Sequence, residues 1–221
     1  MKNTQKRSAV SIVLCITLAL VLVVGGTFAW LSAQTTKVTN TFTLLNPVNG
    51  MTAEITEVFD PTQAQNLTPG VTVDKEVAFR NTSTGTSAPS QWACIRLRFM
   101  NGQTPTPGNA NMTQLNEVMQ IIYNSAEGFN LGTSGATWVR KNSGALQQEE
   151  IFYYNTIVAP GTKTANLFTD VKIKSDATNA ELKAIYDVGG FQIEIDGSAV
   201  QSDIGTTLDA TIRTALEAEL P

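Results

Sequence analysis

The sequence predicts an all-β fold, an antiparallel β-sandwich with a few short helices and a C-terminal helix. Two observations predict it. Short segments of alternating apolar and polar residues, rich in threonine and β-branched side chains, recur along the chain. Pro-Gly turns and loops rich in Ser, Thr, Gly and Asn separate these segments at the spacing that is typical of sandwiches.

The chain divides into four parts by composition. Residues 1–29 are a signal peptide, residues 46–201 form the sandwich domain, and residues 202–221 are a C-terminal helical segment. Residues 30–45 lie between the signal and the domain and carry a single charge, at Lys37. This intervening segment is rich in threonine and is therefore prone to β-structure.

Eight strands are predicted, over residues 39–45, 51–59, 71–81, 91–100, 138–141, 150–154, 164–174 and 190–196. The third of them is the clearest. Its alternation places one lysine among apolar side chains on one face, namely Val71, Val73, Lys75, Val77 and Phe79. We therefore expect a half-buried strand into which a single lysine intrudes.

Three further segments have helical spacing. Residues 113–123 predict a short helix or a mixed segment, because their last residues also suit a strand. Residues 177–186 predict a short helix. Residues 208–220 predict a helix that either packs on the sandwich or extends away from it.

The N-terminus has the pattern of an export signal. Lys2, Lys6 and Arg7 precede an apolar run over residues 9–24, which is shorter than the roughly 20 residues that span a bilayer. Small residues before Trp30 predict cleavage between Ala29 and Trp30, with a cut after Ala33 as the alternative. We expect a secreted protein that meets the membrane only through its signal; an uncleaved anchor is the other interpretation.

Charge and cysteine content limit the remaining possibilities. The chain has 15 basic and 19 acidic residues, and loss of the signal's three basic residues gives a formal net charge of −7. Such an acidic chain argues against nucleic-acid binding. Cys94 is the only cysteine left after cleavage, so no intramolecular disulfide forms, and a buried, unreactive thiol is expected there.

No catalytic, cofactor or metal residue is assigned. The chain has no histidine, which argues against a zinc peptidase with two histidine ligands and against nucleophiles activated by a histidine base. A carbohydrate-binding or adhesive surface is an alternative, and it would stack sugars on aromatic residues in strands. The interpretation that we prefer places the same residues in the core: Trp92, Trp138, Phe152, Tyr153 and Tyr154.

Several blocks of sequence resemble one known family. GTFAW at residues 26–30 and TNTFT at residues 39–43 are similar to the start of the TasA and camelysin family of bacterial biofilm-matrix proteins, which a SipW-type signal peptidase processes. Further similar blocks lie at residues 69–82, 152–168 and 193–201. The chain departs from the family at Ser32-Ala33-Gln34, where an acidic residue is usual, and residues 202–221 have no counterpart.

This resemblance implies a jelly-roll protein of the extracellular matrix or cell surface. Its subunits would join into fibres by donor-strand exchange, either with copies of themselves or with a related matrix protein. Because camelysins are described as metalloproteases, an extracellular metallopeptidase is the remote alternative.

The donated segment would be residues 30–45. Alternate side chains would set its register, either on the face of Val38, Asn40 and Phe42 or on that of Thr39, Thr41 and Thr43. We assign the assembly strand to Val38, Asn40, Phe42 and Leu44, and we expect Val38, Phe42 and Leu44 to point into the partner. The alternative is that residues 39–45 form the first strand of their own domain.

Overall fold

The computed structural model describes residues 50–59, 62–65, 67–102, 105–106, 108–124 and 137–221. Its eight strands form two antiparallel sheets of four, which confirms the predicted β-sandwich. The predicted signal, the cleavage site at Ala29 and Trp30, and the predicted strand at residues 39–45 lie outside the described residues.

The strands are β1 (Ala53–Phe59), β2 (Thr72–Asn81), β3 (Gln91–Asn101), β4 (Met119–Tyr123), β5 (Trp138–Arg140), β6 (Glu149–Tyr154), β7 (Phe168–Ile173) and β8 (Phe191–Gln201). The helices are α1 (Met112–Val118), α2 (Asn179–Asp187) and α3 (Ala210–Ala218). Sheet A has the order β1-β2-β7-β4, and sheet B has the order β5-β6-β3-β8.

Six of the strands have the order of a jelly roll, since β2-β7-β4 and β8-β3-β6 follow that pattern. The other two differ. In a jelly roll the first strand lies beside the eighth and the fifth beside the fourth, whereas here β1 pairs with β2 and β5 pairs with β6. Consequently, no strand among the described residues occupies the place next to β8.

The predicted strands need two corrections. The segment at residues 164–174 is a strand only over β7, because Thr164 and Leu167 donate their N–H groups to Phe79 and Val77 outside the ladder that β7 forms. The last strand continues beyond residue 196 to Gln201, since every residue of β8 is paired with β3. Its length of 11 residues equals that of β3.

The helical predictions are confirmed. Residues 113–123 are indeed a mixed segment, in which α1 passes directly into β4. Thr178 begins α2 with a capping box that it shares with Glu181. The C-terminal helix α3 packs on the outer face of sheet B rather than extending from it.

Two apolar clusters hold the molecule together. The larger cluster fills the space between the sheets and includes Val77, Phe79, Ile95, Leu97 and Phe99, each with no exposed surface. The smaller cluster lies between sheet B and α3, and its members are Trp92, Cys94, Ile151, Tyr153, Leu208, Ile212 and Leu216. The sandwich therefore has one covered outer face and one polar outer face.

Cys94 belongs to the smaller cluster, and its burial confirms the prediction of a buried thiol. Burial raises the pKa of this thiol to about 11, so the reactive thiolate is scarce near neutral pH. No helix in the part of the chain that the structure describes is long and apolar enough to cross a membrane.

Candidate assembly site

The open edge of β8 is the most prominent feature that could bind another chain. On one side, all 11 residues of β8 pair with β3. On the other side, no strand from the described ranges is paired with it. An unpaired edge of this length presents a row of main-chain N–H and C=O groups to which an extended segment can bind.

The two faces of β8 have different surroundings. Ile193, Ile195 and Ala199 point inward into the core between the sheets. On the outer face, Asp196 accepts two hydrogen bonds of 2.8 Å from Arg96, and Ser198 donates to the carbonyl of Leu216 in α3. Because both faces of this strand are already packed, the main-chain edge is what it offers to a partner.

Gly197 also lies on the inner face of β8, directly opposite Ile95 of β3. A glycine within a strand often marks a place where another chain comes close, since it has no side chain. It interrupts the row of apolar side chains between Ile195 and Ala199. At this position the inner face of β8 carries no side chain of its own.

A polar network fixes the chain where it enters β1. The amide of Thr52 donates to Ser83 Oγ at 3.0 Å, and its carbonyl accepts from Gln91 Nε2 at 3.1 Å and from the Thr82 amide at 3.0 Å. Asn81, Ser83 and Gln91 are all buried, and Gln91 Nε2 also donates to Asn81 Oδ1 at 3.0 Å. This network holds Thr52 beside Gln91, whose partner in the ladder is Gln201 at the end of β8.

An ion pair between buried Lys75 and partly exposed Glu57 lies on the inner face of sheet A near this open side. Lys75 Nζ contacts Glu57 Oε1 and lies 4.4 Å from the centre of the Phe59 ring. The two side chains are 7% and 16% exposed. The lysine that the sequence predicts among apolar side chains is thus accommodated by a carboxylate from the neighbouring strand and by an aromatic face.

The outer face of sheet A carries a shallow groove of about 380 Å³ between β1, β2 and the loop that precedes β7. Exposed Val58 lies in it, and Arg80, Lys163 and Glu76 bring charges of both signs. Glu76 accepts a hydrogen bond of 3.0 Å from Asn166. The mixed charges and the absence of an aromatic residue among its lining residues do not indicate a particular ligand.

The aromatic residues that could stack sugars are mostly in the core. Four of them, Trp92, Trp138, Phe152 and Tyr153, are at most 2% exposed, and Tyr154 is half-buried against the ring of Trp138 at 4.9 Å between centroids. Burial removes these faces from solvent. The interpretation of these residues as core is therefore confirmed.

The residues that the sequence predicts for assembly, Val38, Asn40, Phe42 and Leu44, lie outside the described residues. Sequence reasoning missed the network around Thr52 and the inward position of Gly197. Asn81 and Gln91 mark strand ends in the sequence, but nothing in their spacing shows that they meet. Gly197 inside an apolar alternation is a signal that could have been read.

Within the described residues, no group of three or more Cys, Asp or Glu side chains lies close enough together to hold a metal ion. The whole chain also lacks histidine. A zinc site with histidine ligands therefore cannot form in this chain, and the described carboxylates make no cluster in its place.

Comparison with known proteins gives one match. Residues 4–88 match the family model described as camelysin metallo-endopeptidase. No curated protein and no solved structure matches the chain. The sequence blocks at residues 152–168 and 193–201 lie beyond the matched range. The resemblance to the TasA and camelysin family is therefore confirmed over residues 4–88.

Proposed function

We propose that this protein is a secreted, non-enzymatic subunit of extracellular or cell-surface fibres that assembles by donor-strand exchange. Residues 30–45 of one subunit would bind to the open edge of β8 in the next. The open edge itself is the observation that carries this proposal, because it lies where the first strand of a jelly roll belongs.

The donor and the edge agree in length. The 11 residues of β8 extend over about 34 Å at the rise of an antiparallel strand. The candidate donor at residues 30–45 has 16 residues and carries one charge. It is long enough to pair with the whole of β8, and its threonines and apolar residues suit a strand.

Connectivity favours a donor from another subunit. In an antiparallel pairing along the full edge, the end of the donor near Leu45 lies beside the start of β8, about 30 Å from Gln201. Its own chain, however, is fixed at Thr52, which lies beside Gln91 at the Gln201 end. The seven residues from 46 to 52 span at most about 25 Å, so the same chain falls short.

Side-chain alternation limits the register of this pairing. Directly opposite residues in adjacent strands point to the same face, so the donor's apolar face must oppose the inner residues of β8. One register that covers the edge pairs Val38 with Ala199, Asn40 with Gly197, Phe42 with Ile195 and Leu44 with Ile193. Phe42 then enters the core beside two isoleucines.

Metal-dependent proteolysis, which the description of the matched family suggests, does not suit this chain. The chain has no histidine, and the described Cys, Asp and Glu side chains form no group that fits a metal. A signal peptidase of the SipW type is the one enzyme that the proposal requires, to release residue 30 as the new N-terminus.

Electron microscopy of the purified chain beginning at Trp30 tests the proposal. We expect fibres from this chain and only monomers from its Phe42→Asp variant, since a carboxylate cannot enter an apolar site without a partner. Thr43→Asp is the matched control, because it adds the same charge one residue away on the outward face, and it should still form fibres. Unchanged fibres from Phe42→Asp would refute donation of this strand.

A further inference from the structure

The distance of the Glu57 and Lys75 ion pair from one end of the sandwich can be compared with positions along the unpaired side of β8. Thr52 and Gln201 both lie next to Gln91, at the same end of the molecule. β1 begins at that end and β8 finishes there, so the two strands run in opposite directions. Their axes stay roughly aligned, because stacked sheets keep their strands within about 30° of one another. Glu57 lies five residues after Thr52 along β1, and Asp196 lies five residues before Gln201 along β8. Glu57 and Asp196, the neighbour of Gly197, are therefore at about the same distance from this end of the molecule.

The side chains at this height suit a polar group from a partner. Glu57 and Lys75 face the inside of the sandwich, where the surrounding cluster is apolar. At about the same height on β8, Gly197 leaves the inner face of that strand without a side chain. A side chain that enters here from a donated strand would therefore meet an ion pair.

The proposed donor has one polar residue on its inward face, Asn40, between Val38 and Phe42. An asparagine amide has an N–H₂ group that donates and a carbonyl oxygen that accepts. A carboxylate accepts and an ammonium donates, so one amide can bind both members of the ion pair at once. In the register that places Phe42 opposite Ile195, Asn40 lies opposite Gly197.

We propose that Glu57 and Lys75 form a receptor for the Asn40 side chain of a neighbouring subunit, and that this contact fixes the register of the donated strand. The proposal rests on the proposed function and adds the partner residue and its binding site. A buried polar contact selects register because any shift by two residues would place Val38 or Phe42 against the charges and leave the asparagine amide in an apolar site.

A cycle of substitutions in the chain beginning at Trp30, followed by light scattering and electron microscopy, tests this receptor. Asn40→Leu alone, and Glu57→Leu with Lys75→Met, should each slow fibre growth by about tenfold, because each sets the polar side of the contact against an apolar side chain. All three changes together should restore growth to within about threefold of the unchanged chain, as both surfaces are then apolar. If the slowing caused by Asn40→Leu and the slowing caused by the Glu57 and Lys75 substitutions simply multiply in the triple variant, the receptor is refuted.

A second, isosteric pair covers the case in which the leucine and methionine variant does not fold. Asn40→Asp places a second carboxylate beside Glu57 and should block growth, and Glu57→Gln should restore it. Thr41→Leu is the control on the outward face, and it should show no coupling with either change at Glu57. Absence of rescue by Glu57→Gln contradicts the proposal.

The two proposals fail in different ways. If Phe42→Asp still forms fibres, strand donation itself is wrong. If Phe42→Asp blocks fibres but Asn40 shows no coupling with Glu57 and Lys75, donation stands and only the receptor is refuted.

Discussion

Arg140 and Glu150 form the most deeply buried ion pair among the described residues. Arg140 Nε lies 2.7 Å from Glu150 Oε2, and the two side chains are 6% and 0% exposed. Arg140 also donates to the carbonyls of Gly144 and Ala145, and Glu150 accepts from the amide of Gln147. The pair thus fixes the loop between β5 and β6. The hydrogen bond to Glu150 raises the pKa of the arginine further, so the guanidinium stays charged.

We expect Glu150→Gln to destabilise the protein by about 3–5 kcal/mol, because it leaves the Arg140 charge buried without its partner. Glu194→Gln is the matched control. Glu194 pairs with Arg98 at 3.1 Å but is 32% exposed, so its loss should cost about 1 kcal/mol or less. Urea unfolding at neutral pH measures both values. Equal losses of unfolding free energy from the two substitutions would contradict the expectation that burial makes the Arg140 and Glu150 pair the more costly one to break.

Single residues show where sequence reasoning succeeds and where it stops. Alternation in β2 predicted the inward face of Val73, Lys75 and Val77, because period-two patterns depend only on local geometry. The partner of Lys75 was not predictable in the same way. Glu57 lies 18 residues away, and its contact depends on the pairing of β1 with β2.

Helix α3 shows the same limit at the scale of an element. Its spacing through Leu208, Ile212 and Leu216 predicted a helix with one apolar face, but not what the face would cover. The structure places that face on Trp92 and Cys94 of sheet B. Hydrogen bonds fix the contact, including one of 3.0 Å from Trp92 Nε1 to the carbonyl of Gly205.

Glu217 ties α3 to the sheet through its charge. Its carboxylate lies 2.6 Å from Lys141 Nζ and accepts a hydrogen bond from the hydroxyl of Tyr153. Burial on its own would raise the pKa of Glu217, but the hydrogen bonds from Lys141 and Tyr153 outweigh it, so the pKa lies below its usual value of 4.5. A lowered carboxyl pKa stabilises the folded state fully above pH 4.5, and the stabilisation is lost as the pH falls through the folded-state value.

We therefore expect the unchanged chain to lose stability between pH 5 and pH 3 more steeply than Glu217→Gln, by about 1 kcal/mol or less because the contact is partly exposed. Thermal unfolding followed by tryptophan fluorescence measures it, since Trp92 lies beneath α3. Asp187→Asn, which removes an exposed ion pair with Lys183, should change this pH dependence less. Parallel pH profiles for the unchanged chain and Glu217→Gln would show that the carboxylate does not tie the helix.

At the scale of the whole molecule, the sandwich has one face closed and one edge open. Helix α3 covers the outer face of sheet B, and the outer face of sheet A is polar, so neither offers a large apolar surface to a partner. The edge of β8 is different, because its inner face belongs to the main core while one side of its main chain has no strand paired with it in the described ranges. Composition and alternation predicted a sandwich but not this edge. Strand order depends on long-range pairing, which no local pattern specifies.

Amide hydrogen exchange on fibres and monomers of the chain beginning at Trp30 locates the contact. In an antiparallel strand alternate residues direct their N–H groups to opposite sides, so about half of the β8 amides face the open edge. We expect these amides to exchange slowly in fibres and faster in monomers. Amides of β3 should be protected in both states, because β3 is paired on both sides, with β6 and with β8. If fibres protect the amides of β1 and not those of β8, the donated strand binds at the edge of sheet A. That outcome would also remove the register in which Asn40 meets Glu57, because that register exists only when the donated strand pairs with β8.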